Sequence, residues 1–274
     1  RLCNQAGLHV FAFYGWQPPV GNTCRPVVFA DGKEGLFPCP LDDQLWEKYL
    51  EADITVKLAR VSVEGPKSSF DGYFLDMEMY RTEKEPEAKK HYSFDTCFCD
   101  SCFSRFILNR TQIRPLPPVG KAQRKSWLVQ NGFLPDYHAY LIEQVESKTE
   151  QLKNKVHTIN PKLIFGVYPA LNDTNWVRNA CMRALGKNSC PVISFSTDTY
   201  GYYSKPWGAE SRPTCLPILK SITSTESMPQ GICFADIPVR KSQPRSFDRI
   251  KEVRATGFSR CLNWSKTRFR KGRH

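Results

Sequence analysis

Asp76 and Glu78 stand two residues apart at the end of the apolar run FDGYFLDMEMY, residues 70–80. Side chains alternate along a strand, so both carboxylates project to one side, with Phe74 continuing that face and Tyr73, Leu75 and Met77 on the other. Two carboxylates in a poorly solvated hollow cannot both ionise cheaply. One pKa therefore rises, which suits a general acid working near neutral pH. The alternative for either acid is a structural ion pair with an arginine or lysine at the rim of a sheet.

A second group of reactive side chains follows in CFCDSCF: Cys97, Cys99 and Cys102, with Cys39 in FPCPLDDQLW available as a fourth thiolate. Zinc takes four soft ligands in a tetrahedron, and C-x-C-x-x-C on a tight turn supplies three of them without distorting the chain. The expectation is a structural zinc site that ties two rim loops together, with disulfides or free thiols as alternatives. Cys233 and Cys261 fall within apolar strands and read as small core residues. Cys181 and Cys190 could pair in an oxidising compartment.

The elements that must position these groups alternate regularly. LHVFAFYGW, GYFLDME, KLIFGVYPA, PVISFSTDTY, GICFADIP and FSRCLNW are short apolar strands. Helical patterns separate them, among them LDDQLWEKYLEADITVKLARV with a stripe at Leu50, Ile54, Leu58 and Val61, DYHAYLIEQVESKTEQLKNKVHTI with one at Tyr137, Leu141, Val145, Leu152, Val156 and Ile159, and NWVRNACMRALG. Continuously apolar strands spaced by helices belong to a parallel sheet covered on both faces. The fold expected is α/β, a (β/α)8 TIM barrel. Six strands are legible rather than eight, and RLCNQAG reads as the last turn of a helix, so the first two strands are expected upstream or on another polypeptide that completes the barrel. The barrel domain spans 1–265, and 266–274 is a basic tail. An open doubly wound sheet is the structural alternative, but no glycine-rich phosphate loop follows any strand.

The 274 residues suit one such domain, and no run approaches the ~20 apolar residues of a membrane span. A net charge of +12 would suit an acidic partner, yet RKSQPRSFDRIKEVR and KTRFRKGRH lie beside no recognisable reading motif. A solvated basic face is expected, and nucleic acid is not expected as a partner. Without an initiator Met or signal-like segment the chain reads as processed or as a fragment, and a secreted or cytoplasmic setting stays open. Sugar rings present a flat C–H face that stacks on aromatic rings, so Tyr14, Trp16, Tyr80, Tyr200 and Trp264, all at or just after strand ends, are the candidates for holding an oligosaccharide.

DGYFLDME resembles the D-G-x-D-x-D-x-E signature of the family 18 glycoside hydrolases, with Phe74 in place of one acid. LHVFAFYGW is similar to that family's third strand, and Trp264 to its last-strand tryptophan beneath the sugar. The resemblance implies that Glu78 protonates the glycosidic oxygen and that Asp76 orients the substrate's own acetamido group as nucleophile. It matches the family's sixth-strand Tyr-Asp at Asp198, with Thr197 at the tyrosine position. The cysteine spacing, its place after strand four, and a fourth Cys before the preceding helix resemble the family 42 β-galactosidases. That likeness implies a retaining double displacement with Glu78 as acid/base and Asp236, the one acid of strand seven, as nucleophile, with Met77 where an Asn normally precedes the acid/base. Either way a glycoside hydrolase acting on β-linked oligosaccharides or glycoconjugates is implied. A barrel that has lost catalysis and serves for carbohydrate binding or assembly is the alternative.

Overall fold

A computed structural model describes residues 10–16, 23–64, 71–77, 95–168, 175–190, 192–196, 231–239 and 260–265. Six strands form one sheet in the order β1 (Phe11–Gly15), β4 (Gly72–Asp76), β5 (Ile164–Tyr168), β6 (Val192–Ser196), β7 (Gly231–Val239) and β8 (Arg260–Ser265). Every pairing is parallel. These are the six apolar runs of the sequence, in chain order. Between β1 and β4 the chain makes a small antiparallel hairpin, β2 (Pro26–Val28) with β3 (Glu34–Pro38). The glycine- and proline-rich composition of that region had indicated only loop.

The first two residues of the D-G motif set the β1–β4 register. Asp71 donates its N–H to the Val10 carbonyl at 2.6 Å, and its carboxylate accepts the Val10 N–H at 2.7 Å. Gly72 lets β5 approach, because a Cβ there would lie 1.9 Å from the Ile164 carbonyl oxygen and 2.8 Å from the Phe11 ring. Gly72→Ala is expected to lower the free energy of unfolding by about 1–3 kcal/mol through this overpacking, read as a shifted urea midpoint.

Helices cover one face of the sheet. α1 (Gln44–Thr55) is wound as a π-helix and runs straight into α2 (Val56–Val63). The wider turn is visible at its end, where the Val56 N–H bonds to the Glu51 carbonyl and the Thr55 hydroxyl to the Leu50 carbonyl, each five residues back. One extra residue per turn slips the phase of the apolar stripe. Leu45, Trp46, Leu50, Thr55 and Ala59 are the buried positions; of the expected stripe Leu50 is buried, Ile54 and Leu58 pack half-buried against the core, and Val61 is exposed. Asp42 accepts the Gln44 N–H at 2.8 Å at the start of α1, while Asp43 pairs with Lys148 and Arg105.

α3 (Asp100–Arg110), α4 (Arg124–Gln130) and α5 (Leu134–Ile159) lie between β4 and β5, and α6 (Trp176–Gly186) lies between β5 and β6. α5 carries its expected stripe, with Tyr137, Leu141, Val145, Leu152 and Val156 buried. It buries Lys153 as well, whose ammonium donates to the carbonyls of Ala184, Leu185 and Lys187 at 3.0, 3.3 and 3.1 Å and so caps the carboxyl end of α6. Near the end of α5 the His157 ring nitrogen lies 3.0 Å from the Leu163 carbonyl. Burial holds its pKa below the ordinary histidine value. The fold thus favours the neutral ring: this contribution is complete above the unfolded pKa of about 6.5 and is lost as pH falls through the lower folded value. The urea midpoint should therefore fall more steeply from pH 7 to 5 in the wild type than in His157→Gln.

The sheet–helix core joins Tyr73, Leu75 and Met77 of the β4 segment to Phe165 and Val167 of β5 and to the α5 stripe. Tyr73 stacks on Phe165 at 5.3 Å and donates its hydroxyl to the Thr55 carbonyl at 2.7 Å. No helix among the described residues is long and apolar enough to cross a membrane.

Candidate functional site

The opposite face of the sheet is aromatic at β1 and β4. Phe74 stacks on Phe13 at 4.7 Å and meets Phe11 edge-on at 5.2 Å. Phe13 is 52% exposed although it belongs to a strand of the main sheet. Asp76 shares the parity of Phe74, so it belongs to this face, at the carboxyl end of β4. It is buried, its carbonyl accepts the Trp16 N–H at 2.7 Å, and it stands level with Gly15 of β1 and Tyr168 of β5. A carboxylate at this end of a parallel βα sheet occupies the place where TIM barrels carry their chemistry.

The other expected site residues fall in three groups. Glu78, Tyr80, Asp198 and Tyr200 lie outside the described residues. Asp236 lies in β7 paired with Leu262, and Trp264 in β8 paired with Pro238. Tyr14 and Trp16, expected to meet sugar, are instead in the core. The register pairs Tyr14 with Leu75, which puts it on the helix-facing side, where its ring meets Tyr73 at 6.1 Å and burial pushes its hydroxyl pKa well up. Trp16 is 1% exposed and packs at right angles on Trp46 of α1, 5.3 Å between ring centres. Alternation counted from Gly15, which is level with Asp76, separates Tyr14 from the carboxylate face; that signal was present in the sequence once the register was known.

The four cysteines meet as expected. Cys39 follows β3, Cys97 and Cys99 lie in the loop before α3, and Cys102 lies in its first turn; all four are buried. Their sulfurs lie within 4.8 Å of one another, with Cys39 at 3.6 Å from Cys99 and 3.4 Å from Cys102. A tetrahedral thiolate site with metal–sulfur bonds of about 2.3 Å has sulfur–sulfur edges of about 3.8 Å, whereas a disulfide requires about 2.05 Å. The spacing excludes a disulfide, and the cluster could hold a metal ion through four sulfurs.

Neighbouring groups hold these sulfurs in place. The Val28 N–H points at the Cys97 sulfur at 3.3 Å, and the Cys102 N–H at the Cys99 sulfur at 3.4 Å, which makes a thiol the N-cap of α3. The loop itself extends the hairpin, through the Phe98 N–H to Val28 carbonyl bond at 2.8 Å and the Ala30 N–H to Asp95 carbonyl bond at 3.0 Å. Tyr137 of α5 donates its hydroxyl to the Cys97 carbonyl at 2.5 Å, and the buried Arg124 donates to the Phe98 carbonyl at 2.7 Å. Hydrogen bonds from Cys102 first, then from Cys39 and Cys97, hold the Cys99 thiol far below the ordinary thiol range. Its bonds with Cys39, Cys97 and Cys99, together with burial, push Cys102 up. Cys181 and Cys190 are unbridged; Cys181 is buried, receives the Thr149 hydroxyl at 3.4 Å, and is pushed up to about 12 by burial.

No protein-family model and no curated protein sequence matches the chain. Among solved structures it is similar to the catalytic domain of β-amylase from Paenibacillus polymyxa, with a TM-score of 0.55 and 11% identity over 95% of this chain and 77% of that one. An agarase, AgWH50C, gives a TM-score of 0.49 and 14% identity over 95% of this chain and 39% of that one. The chain shares the α/β fold of that β-amylase domain. At these identities the likeness is one of fold, and it agrees with the parallel strand order read from the pairings.

Proposed function

We propose that the protein is a glycoside hydrolase that cleaves β-linked oligosaccharides or glycoconjugates with retention. The observation that carries this reading is the position of Asp76, a buried carboxylate at the carboxyl end of β4 on the aromatic face of the sheet. The resemblance of residues 71–78 to a glycosidase signature and the shared fold support it.

Glu78 is the general acid/base, two residues beyond Asp76. It protonates the glycosidic oxygen as the leaving group departs and then takes a proton from the attacking water. Asp76 keeps that proton in place by resisting a second negative charge nearby, and orients an acetamido nucleophile when the sugar carries one. With a sugar that lacks the acetamido group, Asp236 is the nucleophile of a double displacement. Retention by that route requires carboxyl groups about 5 to 5.5 Å apart, inversion about 6.5 to 9.5 Å. Tyr80, Asp198, Tyr200 and Trp264 contact the sugar, whereas Tyr14 and Trp16 build the wall behind β1.

Cys39, Cys97, Cys99 and Cys102 hold zinc, whose four soft ligands they match. A closed set of four thiolates leaves no position for water or substrate, so zinc supplies a cross-link between the hairpin and the amino end of α3 and takes no part in the chemistry. Incubation with a panel of chromogenic β-glycosides tests the function. Turnover that disappears in Glu78→Gln is the expected result; turnover that survives the substitution assigns the activity elsewhere, and none on any substrate makes the barrel a binding module.

A further inference from the structure

α6 follows β5, so its amino end opens at the carboxyl end of the sheet, the end where β4 presents Asp76. Asn175 is its N-cap, and its Oδ1 accepts the Arg178 N–H at 3.0 Å. The same side-chain amide carries a second polar group, Nδ2, which is buried and has no hydrogen-bond partner among the described residues. Asn175 itself has no exposed surface. A buried amide donor without an acceptor is a standing cost to the fold, and a bound acceptor oxygen removes it.

Three further features give that oxygen a sign. The first N–H groups of an eleven-residue helix and its dipole favour negative charge. Arg178, buried on the same turn with its guanidinium steadied by the Asn179 side-chain oxygen at 3.3 and 3.2 Å, adds positive charge there. The net charge of +12 draws acidic ligands to the molecule. The turn also adjoins the thiolate loop, since the Trp176 indole donates to the Thr96 hydroxyl at 3.4 Å, one residue before Cys97.

We propose that the amino end of α6, through Asn175 Nδ2, is a subsite for an oxyanion carried on a sugar, a uronate carboxylate or a sulfate ester. The glycan that this face takes is then an acidic one. The choice of a sugar rests on the function proposed above; the anion does not. An internal water on Nδ2 is the competing occupant.

Calorimetric titration of the intact chain with methyl β-glucuronide, with galactose 6-sulfate and with neutral methyl β-glucoside decides between them. The first two arms separate carboxylate from sulfate. At least one acidic sugar should bind about tenfold or more tightly than the neutral one. Asn175→Asp and Asn175→Ser both keep a capping oxygen, and so the helix, but remove the amide donor. Each should lose that preference with an unchanged circular dichroism spectrum. Equal affinity for acidic and neutral sugars in the wild type overturns the proposal, as does a preference that survives in both variants. Because binding is read without turnover, a protein that prefers the acidic sugar but hydrolyses nothing upholds this subsite and refutes the glycosidase, and the converse result does the reverse.

Discussion

Glu78→Gln should lower kcat by about 10²- to 10⁴-fold, the usual contribution of a positioned general acid/base. The substitution keeps the shape and hydrogen-bonding reach of the side chain and removes only the proton it can exchange. KM should move little, because on the proposed role the substitution removes an interaction made in the transition state. Substrates with good leaving groups need less protonation, so activated aryl glycosides should lose less than natural oligosaccharides. Asp76→Asn should act differently. On the proposed roles it removes a negative charge beside the acid, so the alkaline limb of the pH–kcat/KM profile should move to lower pH. The sign follows from like-charge repulsion: an anionic neighbour favours the protonated acid, and its loss lets the acid ionise at lower pH. A profile unchanged in Asp76→Asn would separate the two carboxylates functionally.

The second large effect belongs to the thiolate cluster. Cys99→Ser with Cys102→Ser should take bound zinc from about one per chain to none by elemental analysis, and should cost at least about 4–5 kcal/mol of stability, the range reached when a metal site is lost. Cys99 is the N-cap of α3, and Cys102 ties the first turn of that helix back to Cys39, 3.4 Å away. Their removal releases the Cys39 turn and the hairpin together. A chelator should reproduce the loss in the wild type and have no further effect on the double variant. Tyr137→Phe, which deletes the bond to the Cys97 carbonyl and leaves all four sulfurs, should weaken zinc retention without abolishing it.

The framework was legible because strands covered on both faces are written as unbroken apolar runs; GYFLD, buried at every position, shows why. The cysteine cluster was legible because C-x-C-x-x-C is local and supplies three of the four thiols; Cys39, 60 residues before Cys99, is brought to it by the hairpin strand β2, whose Val28 bonds to Cys97 and Phe98. What sequence alone did not show depends on register and on contacts between distant segments. Tyr14 and Trp16 sit at a strand end, as sugar-binding aromatics do, but their face is fixed by pairing with β4. The hairpin strand Pro26–Val28 is three residues long and carries no alternation to detect. The π-wound turns of α1 shift the buried stripe by one residue, which no 3.6-residue count anticipates. Lys153 reads as a surface charge until the carboxyl end of α6, some thirty residues later, folds over it.

The stereochemistry of hydrolysis tests the central claim most directly. A β-linked oligosaccharide mixed with the wild-type protein and followed by proton NMR should release the β-anomer first, with the α-anomer growing in only as the sugar mutarotates. Release of the α-anomer first, or no new anomeric signal from any β-linked substrate, would contradict a retaining glycosidase built on Glu78 and Asp76.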